Sequence, residues 1–379
     1  MKKVINIILL LVLVGVGVWL YMSNRNSTIV FTVTNTADFA RNGELIEVPF
    51  ETLGVNTSEP FVLYDSTGRE VAYQLTDKSM LFQVSVEAQG VARYLLRKGN
   101  PAAPMYKVFA RFVPERKDDF AWENDIAAYR MYGPALADEN PSNGVDLWLK
   151  KTDDLIVDTF YYREHELGLP YHIDYGKGLD CYKVGHTVGC GGVALLKDDS
   201  LYVGNHYDQW EILEAGSLRT IFELRYDSVL VDTTVLQEVL RVTVSAGSVL
   251  NKAEVTYYGA GESELNVAAG IFLHNDSLGV MKSGMPDGKW IAYAENARSD
   301  AGLDMGRNYA AVVMPESEAA VVKDGSLLLY QPCMADTPTT YYFGGGWSQW
   351  RFPTDEDWFD AVSHAAMALK NPLQIAIVK

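Results

Sequence analysis

Apolar and polar residues alternate with a period of two from Ile29 onward, in short runs broken by turn signals. Thr220, Phe222, Leu224 and Tyr226 fall on one face of such a run. Leu240, Val242 and Val244 do the same, as do Ala253, Val255 and Tyr257, then Leu265, Val267 and Ala269, with further runs at 306–314 and 326–331. Turns such as Tyr258-Gly259-Ala260-Gly261 separate them. No stretch between residues 30 and 350 reads as a long amphipathic helix. The exception follows Thr354-x-x-Asp357, where Trp358, Val362, Ala365, Ala366 and Leu369 recur at helical spacing. Asn371-Pro372 stops that helix, and 373–378 reads as a last strand. The pattern predicts an all-β fold, a large sandwich or supersandwich with one C-terminal helix, as a single module over residues 27–379.

Residues 1–26 read as an address. Met1-Lys2-Lys3 precedes an apolar run over 4–22, about as long as a bilayer-spanning helix needs. It ends in Trp19-Leu20-Tyr21-Met22, and Trp and Tyr favour the lipid–water interface. An uncleaved anchor and a cleaved signal both remain open. Under either, the body works outside the cytoplasm, in a bacterial periplasm.

The 379 residues are 48% apolar and include 22 Tyr and 8 Trp, enough to bury a core and exclude disorder. That aromatic load is usual in β-rich folds and sugar-binding clefts. Lys and Arg total 32 against 49 Asp and Glu, a net charge of −17. This balance excludes a nucleic-acid partner, which needs a basic face, and limits membrane contact to the N-terminal segment. Oligomeric state is not legible. Phosphate loop, nucleophile elbow, His-Glu-x-x-His and dinucleotide fingerprint are all missing. No cofactor is expected, and a divalent metal is left open.

Four segments concentrate polar and aromatic chemistry. The first runs from Arg111 to Asp125 and into Arg130, with Arg116, Trp122 and Asn124 suited to a sugar: the ring stacks on its apolar face while the polar groups bind hydroxyls. A charged surface loop with Trp122 in the core is the plain alternative. The second, from Tyr171 to Gly192, is glycine-rich and frames Tyr182 and His186 between Cys181 and Cys190. Those cysteines are read as two thiols, a disulfide or, at an unusual spacing, part of a zinc site. In the third, Gly204-Asn205-His206-Tyr207-Asp208, a strand end displays imidazole and phenol. The fourth is Tyr341-Tyr342-Phe343-Gly344-Gly345-Gly346-Trp347-Ser348-Gln349-Trp350, either a sugar platform or a glycine turn that packs Trp347 inward.

The string Phe112-Val-Pro-Glu-Arg-Lys-Asp-Asp-Phe-Ala-Trp-Glu-Asn-Asp125, followed by Arg130-Met-Tyr-Gly-Pro-Ala135, resembles a bacterial domain-of-unknown-function family of polysaccharide-utilisation loci. So do Tyr342-Phe-Gly-Gly-Gly-Trp-Ser348, Asp357-Trp358 and Lys370-Asn-Pro-Leu373, although the three glycines depart from an expected Gly-Ala-Gly. The resemblance spans Thr34 to Lys379. It implies a fold similar to galactose mutarotase and the supersandwich polysaccharide lyases. It also implies chemistry on uronic-acid sugars, because the family is usually encoded near unsaturated glucuronyl or rhamnogalacturonyl hydrolases.

β-Elimination at a uronate, as a lyase or a dehydratase, needs a base for the C5 proton, a group to hold the carboxylate and an acid at O4. His186 or His206 would be the base, Asn124 and Arg130 the carboxylate holders, and Tyr207 or Tyr182 the acid. Trp122, Arg116 and Trp347 complete the binding set. Hydrolysis by paired carboxylates from Glu123, Asp125, Asp208 and Glu211 is the first alternative. Non-catalytic glycan binding through Trp122, Trp347 and Trp350 is the second, and mutarotase-like isomerisation remains open. Arg111, Arg116, Arg130, Lys177 and Lys183 are expected to make a positive cleft despite the global charge.

Overall fold

The computed structural model describes residues 28–55, 59–139, 144–259 and 265–378. The segment 1–26, read as anchor or signal, lies outside them. Among the described residues no helix is long and apolar enough to cross a membrane. Strands dominate, as expected, and a helix near the C-terminus precedes the last strand. Where the sequence reading draws one module, the packing divides into two compact units. One takes the described residues up to Asn42, Ile46–Met105 and those from Leu373; the other takes Gly43–Leu45 and Tyr106–Pro372.

In the first unit the first and last described strands meet. Strand Ile29–Thr34 pairs antiparallel with Val91–Lys98 on one side and with Gln374–Val378 on the other, Val30 facing Val378. The alternation seeds a core in which the rings of Phe31, Phe82 and Tyr94 lie 5.1–5.8 Å apart.

The second unit is built on an eight-stranded antiparallel sheet from Gln209–Ala215 at one edge to Val280–Ser283 at the other. Two five-stranded sheets share its core. The faces expected from the alternation hold: Phe222, Leu224, Leu240, Val242 and Val255 are all buried. They meet Trp122, Tyr129 and Leu147 from one smaller sheet, and Val193, Leu195 and Ala269 from the other.

The C-terminal helix Asp355–Lys370 begins as expected. Thr354 and Asp357 exchange capping bonds of 2.9 and 3.2 Å, and Trp358, Phe359, Val362 and Ala366 are buried, while Leu369 is exposed. Arg307 clasps Asp355 through two bonds of 3.0 and 2.7 Å and fixes the same end. A second helix, Val157–Leu167, is absent from the sequence reading. It buries only Val157, Phe160 and Tyr161, too short a stripe to register as amphipathic periodicity. Its stop is Gly168 in the left-handed region, φ 63°.

The glycine motif is neither a platform nor a turn. Gly344, Gly345 and Gly346 lie within the strand Thr339–Trp347, in the middle of the eight-stranded sheet. A Cβ on Gly344 would stand 2.0 Å from the Val249 carbonyl oxygen, and one on Gly345 would stand 2.6 Å from Leu147. Close packing, not conformational freedom, requires these residues. Trp347 is therefore a core residue: it is buried, and its Nε1 donates to the Met305 carbonyl at 2.6 Å.

Candidate active site

The sheet carrying strands Val108–Val113, Asp119–Asn124, Ala128–Met131, Asp146–Lys150 and Gly178–Asp180 has two buried faces. Phe120, Trp122, Tyr129 and Leu147 point into the shared core. By the period of two, the opposite face carries Asp119, Glu123, Arg130, Asp146, Lys150 and Asp180, and the pairing sets Arg130 opposite Asp146. In a solvent-facing sheet this would be an ordinary polar face. Here Val157, Phe160, Tyr161 and Tyr171 pack over it against Ala121, Ala128 and Trp148, and seal the charges inside.

Two buried ion groups result. Lys150 Nζ lies 2.7 Å from Glu123 Oε2 and donates to the Asn124 carbonyl at 2.7 Å. The Glu123 carboxylate also accepts from the amides of Ile156 and Val157 at 2.8 Å, so it caps the helix that covers it. Arg130 serves three acids: Asp146 at 2.6 Å, Asp180 at 2.8 Å and Asp119 at 3.8 Å. It donates to Tyr171 Oη at 3.1 Å, and the rings of Tyr132, Trp148 and Tyr171 stand 4.9–5.5 Å from its guanidinium carbon. Arg116 approaches from the rim, 3.5 Å from Asp119, and also hydrogen-bonds Tyr171.

Burial, then the nearby Asp146, push Asp180 up to about 7; burial raises Asp119 to about 6 despite Arg130 and Arg116. Burial likewise raises Glu238, in the shared core beside Tyr257, to about 7. A raised carboxyl keeps a proton in the fold that the unfolded chain has released. Stability therefore falls as pH rises from about 4 to about 7. All three buried acids act in the same direction over that window. The midpoint of thermal unfolding is expected to be higher at pH 5 than at pH 8; a profile flat over that range would mean these acids are ionised in the native state at pH 5.

The cluster opens to solvent at His172, whose side chain is 34% exposed. Its Nδ1 lies 2.9 Å from the Asp180 carbonyl oxygen, an acceptor only, so Nδ1 is the donor. Asp180 Oδ2 at 3.7 Å and Asp300 Oδ2 at 3.9 Å reinforce that choice. In the neutral ring the lone pair is thereby assigned to Nε2. Lys183, paired with Asp300 at 2.6 Å, completes the rim.

The residues nominated from sequence are placed otherwise. Trp122 is fully buried, its ring 5.6 Å from Tyr129 and 5.1 Å from Phe222, so it presents no face to a sugar. Asn124 spends its amide on the carbonyls of Ser245 and Ser248 at 2.9 and 2.8 Å, and its oxygen on the amides of Ile126 and Ala127. Tyr207 is buried and donates to the Asp118 carbonyl. His206 is buried, its Nδ1 2.9 Å from Asn205 Oδ1. His186 is exposed on its loop. Tyr182 is buried edge-on to His274 at 5.0 Å. Of the nominated set, only Arg116 and Arg130 come together. Cys181 and Cys190 are buried free thiols, and burial pushes Cys181 up to about 12.

The carboxylates proposed for hydrolysis are also engaged. Beyond Glu123, Asp125 accepts from the Gly247 amide at 2.7 Å, Asp208 from the Asp227 amide at 2.7 Å, and Glu211 pairs with Arg225 at 3.2 Å. The five basic residues expected to form a positive cleft each have an acidic partner: Arg111 with Glu115 and Asp158, Lys177 with Asp154, and the other three as described above. Sequence reasoning missed His172 as a site residue. Its one local signal is an aromatic neighbour, Tyr171, with an acid eight residues on.

The family model described as Domain of unknown function (DUF4861) matches residues 33–375. The chain belongs to this family. The match spans both units and every residue of the cluster. A protein of Formosa agariphila, "Uncharacterized protein P7", is 30% identical over 373 residues, covering 92% of this chain and 93% of that one. Among solved structures, a protein in glycosyl hydrolase family 38 from Enterococcus faecalis superposes with a TM-score of 0.51 at 10% identity. That match takes in 93% of this chain and 48% of the other, so this chain spans about half its length. An α-mannosidase from Enterococcus faecalis V583 gives a TM-score of 0.45 at 9% identity, over 93% and 46% of the two chains. The likeness to the family 38 protein is one of fold.

Proposed function

We propose that this DUF4861 protein is a carbohydrate-active enzyme that acts on uronic-acid-containing oligosaccharides by β-elimination, as a lyase or a dehydratase. The observation that carries the reading is His172: a partly exposed imidazole whose Nδ1 is committed to the Asp180 carbonyl, beside the ring of Tyr171, which Arg130 and Arg116 hydrogen-bond. His172 Nε2 removes the C5 proton, and the C–H electron pair becomes the C4–C5 double bond. The C4–O4 bond breaks with its pair on oxygen, which after taking a proton leaves as water or as the anomeric hydroxyl of the released sugar. In this reading Arg116 and Lys183 neutralise the substrate carboxylate as charge builds on it, and the proton at O4 comes from Tyr171, a buried phenol whose ring lies 4.6 Å from that of His172. The fold shared with part of a glycosyl hydrolase family 38 protein is compatible with a carbohydrate substrate. The resemblance to proteins of polysaccharide-utilisation loci points the same way.

The hydrolytic alternative is weaker, because Glu123, Asp125 and Asp208 are taken up by backbone amides and Glu211 pairs with Arg225 at the surface. The apolar run at 4–22 supports a body exported to the periplasm, anchored or released. The test incubates the protein with uronate oligosaccharides cut from pectin, ulvan and arabinogalactan, following ultraviolet absorbance and mass together. Absorbance with loss of one water indicates a dehydratase, and absorbance with chain cleavage a lyase. Cleavage with gain of water and no absorbance would overturn elimination in favour of hydrolysis.

A further inference from the structure

We propose that His274 is a positioning residue for this site: held as an imidazolium between Glu295 and the Lys183 carbonyl, it latches the glycine-rich loop after Asp180, and the latch opens as pH rises. Its link to catalysis rests on the reading of the site just given. Its structural part stands on geometry alone. His274 Nδ1 lies 2.8 and 3.0 Å from the two carboxylate oxygens of Glu295, and Nε2 lies 2.6 Å from the Lys183 carbonyl oxygen. A carbonyl only accepts, and Glu295 Oε1 already accepts from Asn308 Nδ2 at 2.7 Å. Both ring nitrogens therefore donate, which only the cation can do.

The surroundings favour that charge. Strand Trp290–Arg298 presents Glu295 and Tyr293, which itself hydrogen-bonds Glu295, and strand Asp304–Val313 presents Asn308. The loop presents Tyr182, edge-on at 5.0 Å, with Phe272 edge-on from the end of the strand that precedes the histidine. Cys190 and Asp146 lie behind Tyr182. Of the cations nearby, Lys183 turns its ammonium to Asp300 at 2.6 Å, and Arg307, which acts on Tyr293, is clasped by Asp355 at 2.7 Å. Burial alone would lower the His274 pKa, but the Glu295 carboxylate outweighs it and the value is raised.

The latch reaches the site through three links. His274 fixes the Lys183 backbone, Lys183 holds Asp300, and Asp300 Oδ2 stands 3.9 Å from His172 Nδ1. Residues 181–188 have no strand or helix of their own, so this bond substitutes for a ladder. A histidine with a raised pKa contributes fully below the ordinary value near 6.5, and its contribution is lost as pH rises through the folded value. Loss of the proton leaves one of the two acceptors without a donor.

Nitrogen-detected NMR of the histidines in the full chain, with amide exchange over 182–189, tests this. His274 is expected to be protonated on both nitrogens at pH 7 and to titrate above the ordinary value. Exchange of the loop, corrected for its intrinsic rate, should rise about tenfold or more across that titration. In Glu295→Gln the titration should move down, and in His274→Gln the pH-dependent step should vanish. A neutral His274 at pH 7, or loop exchange indifferent to its titration, overturns the latch. Activity separates the two readings. If no uronate is turned over while His274 titrates and the loop loosens as described, the elimination reading falls and the latch stands. If uronate is turned over, kcat/KM should fall in step with loop exchange; turnover that ignores the loosened loop removes the positioning role.

Discussion

Replacing Arg130 with alanine is expected to lower the stability of the protein by about 3–5 kcal/mol, the loss typical when a buried ion group is stripped of one sign. Asp119, Asp146 and Asp180 would remain on a sealed face with no cation among them; Arg116 touches only Asp119 and lies at the rim. Protonation would relieve part of the cost, because Asp180 already holds its proton to about pH 7. For the same reason Asp180→Asn should be mild, as the amide resembles the protonated acid. Arg130→Lys keeps the charge but cannot fork to Asp146, Asp180 and Tyr171 at once, so it should recover less than half of the loss. The control is Arg111→Ala, whose pairs with Glu115 and Asp158 are partly exposed and should be worth under about 1 kcal/mol. Urea unfolding midpoints at fixed m-value measure all four. A loss below about 1 kcal/mol for Arg130→Ala would mean that the cluster is solvated.

The sequence makes strands readable because a sandwich buries one side of each strand, and alternation records that directly. Phe222, Leu224, Leu240 and Val242 are legible on this ground, as is the C-terminal helix, whose stop and start signals are local. The sheet beneath the candidate site breaks the rule. Both of its faces are buried, and one is lined with ions, so its pattern is identical to that of a strand half in water. The helix Val157–Leu167 hides that face, and Glu123, more than thirty residues earlier, caps it. Nothing in the local sequence announces either fact.

The same distance problem explains the nominated residues that turned out to hold structure. Asn124 and Asp125 stand out in sequence as an amide and an acid beside a tryptophan. Their partners are the backbone of Ser245, Gly247 and Ser248, about 120 positions away. A tight polar turn needs the same residue types that a sugar needs, so composition cannot separate the two. Trp122 and Trp347 fail as platforms for a related reason: aromatic rings that fill a core and rings that stack on a sugar are equally apolar. His172 was passed over because the bond that fixes its tautomer runs to a backbone carbonyl, which every residue possesses.

Removing the His172 imidazole is expected to lower kcat for uronate elimination by about 10²–10⁴-fold, the usual range for a general base, while leaving the fold intact. The ring is partly exposed, and the one bond it makes to the chain goes to a carbonyl that water can satisfy, so His172→Ala should unfold within about 1 kcal/mol of the parent. Arg116→Met and Lys183→Met should instead raise KM more than they lower kcat, if these cations meet the carboxylate in ground state and transition state alike. Tyr171→Phe is the informative companion. Its hydroxyl accepts from Arg130, so the variant loses some stability as well as the proton donor at O4. A substrate whose O4 departs as a better leaving group should rescue Tyr171→Phe and should not rescue His172→Ala, because only the second lacks the base. If His172→Ala turns over within threefold of the parent, the base lies elsewhere, and the exposed His186 is the first residue to test in its place.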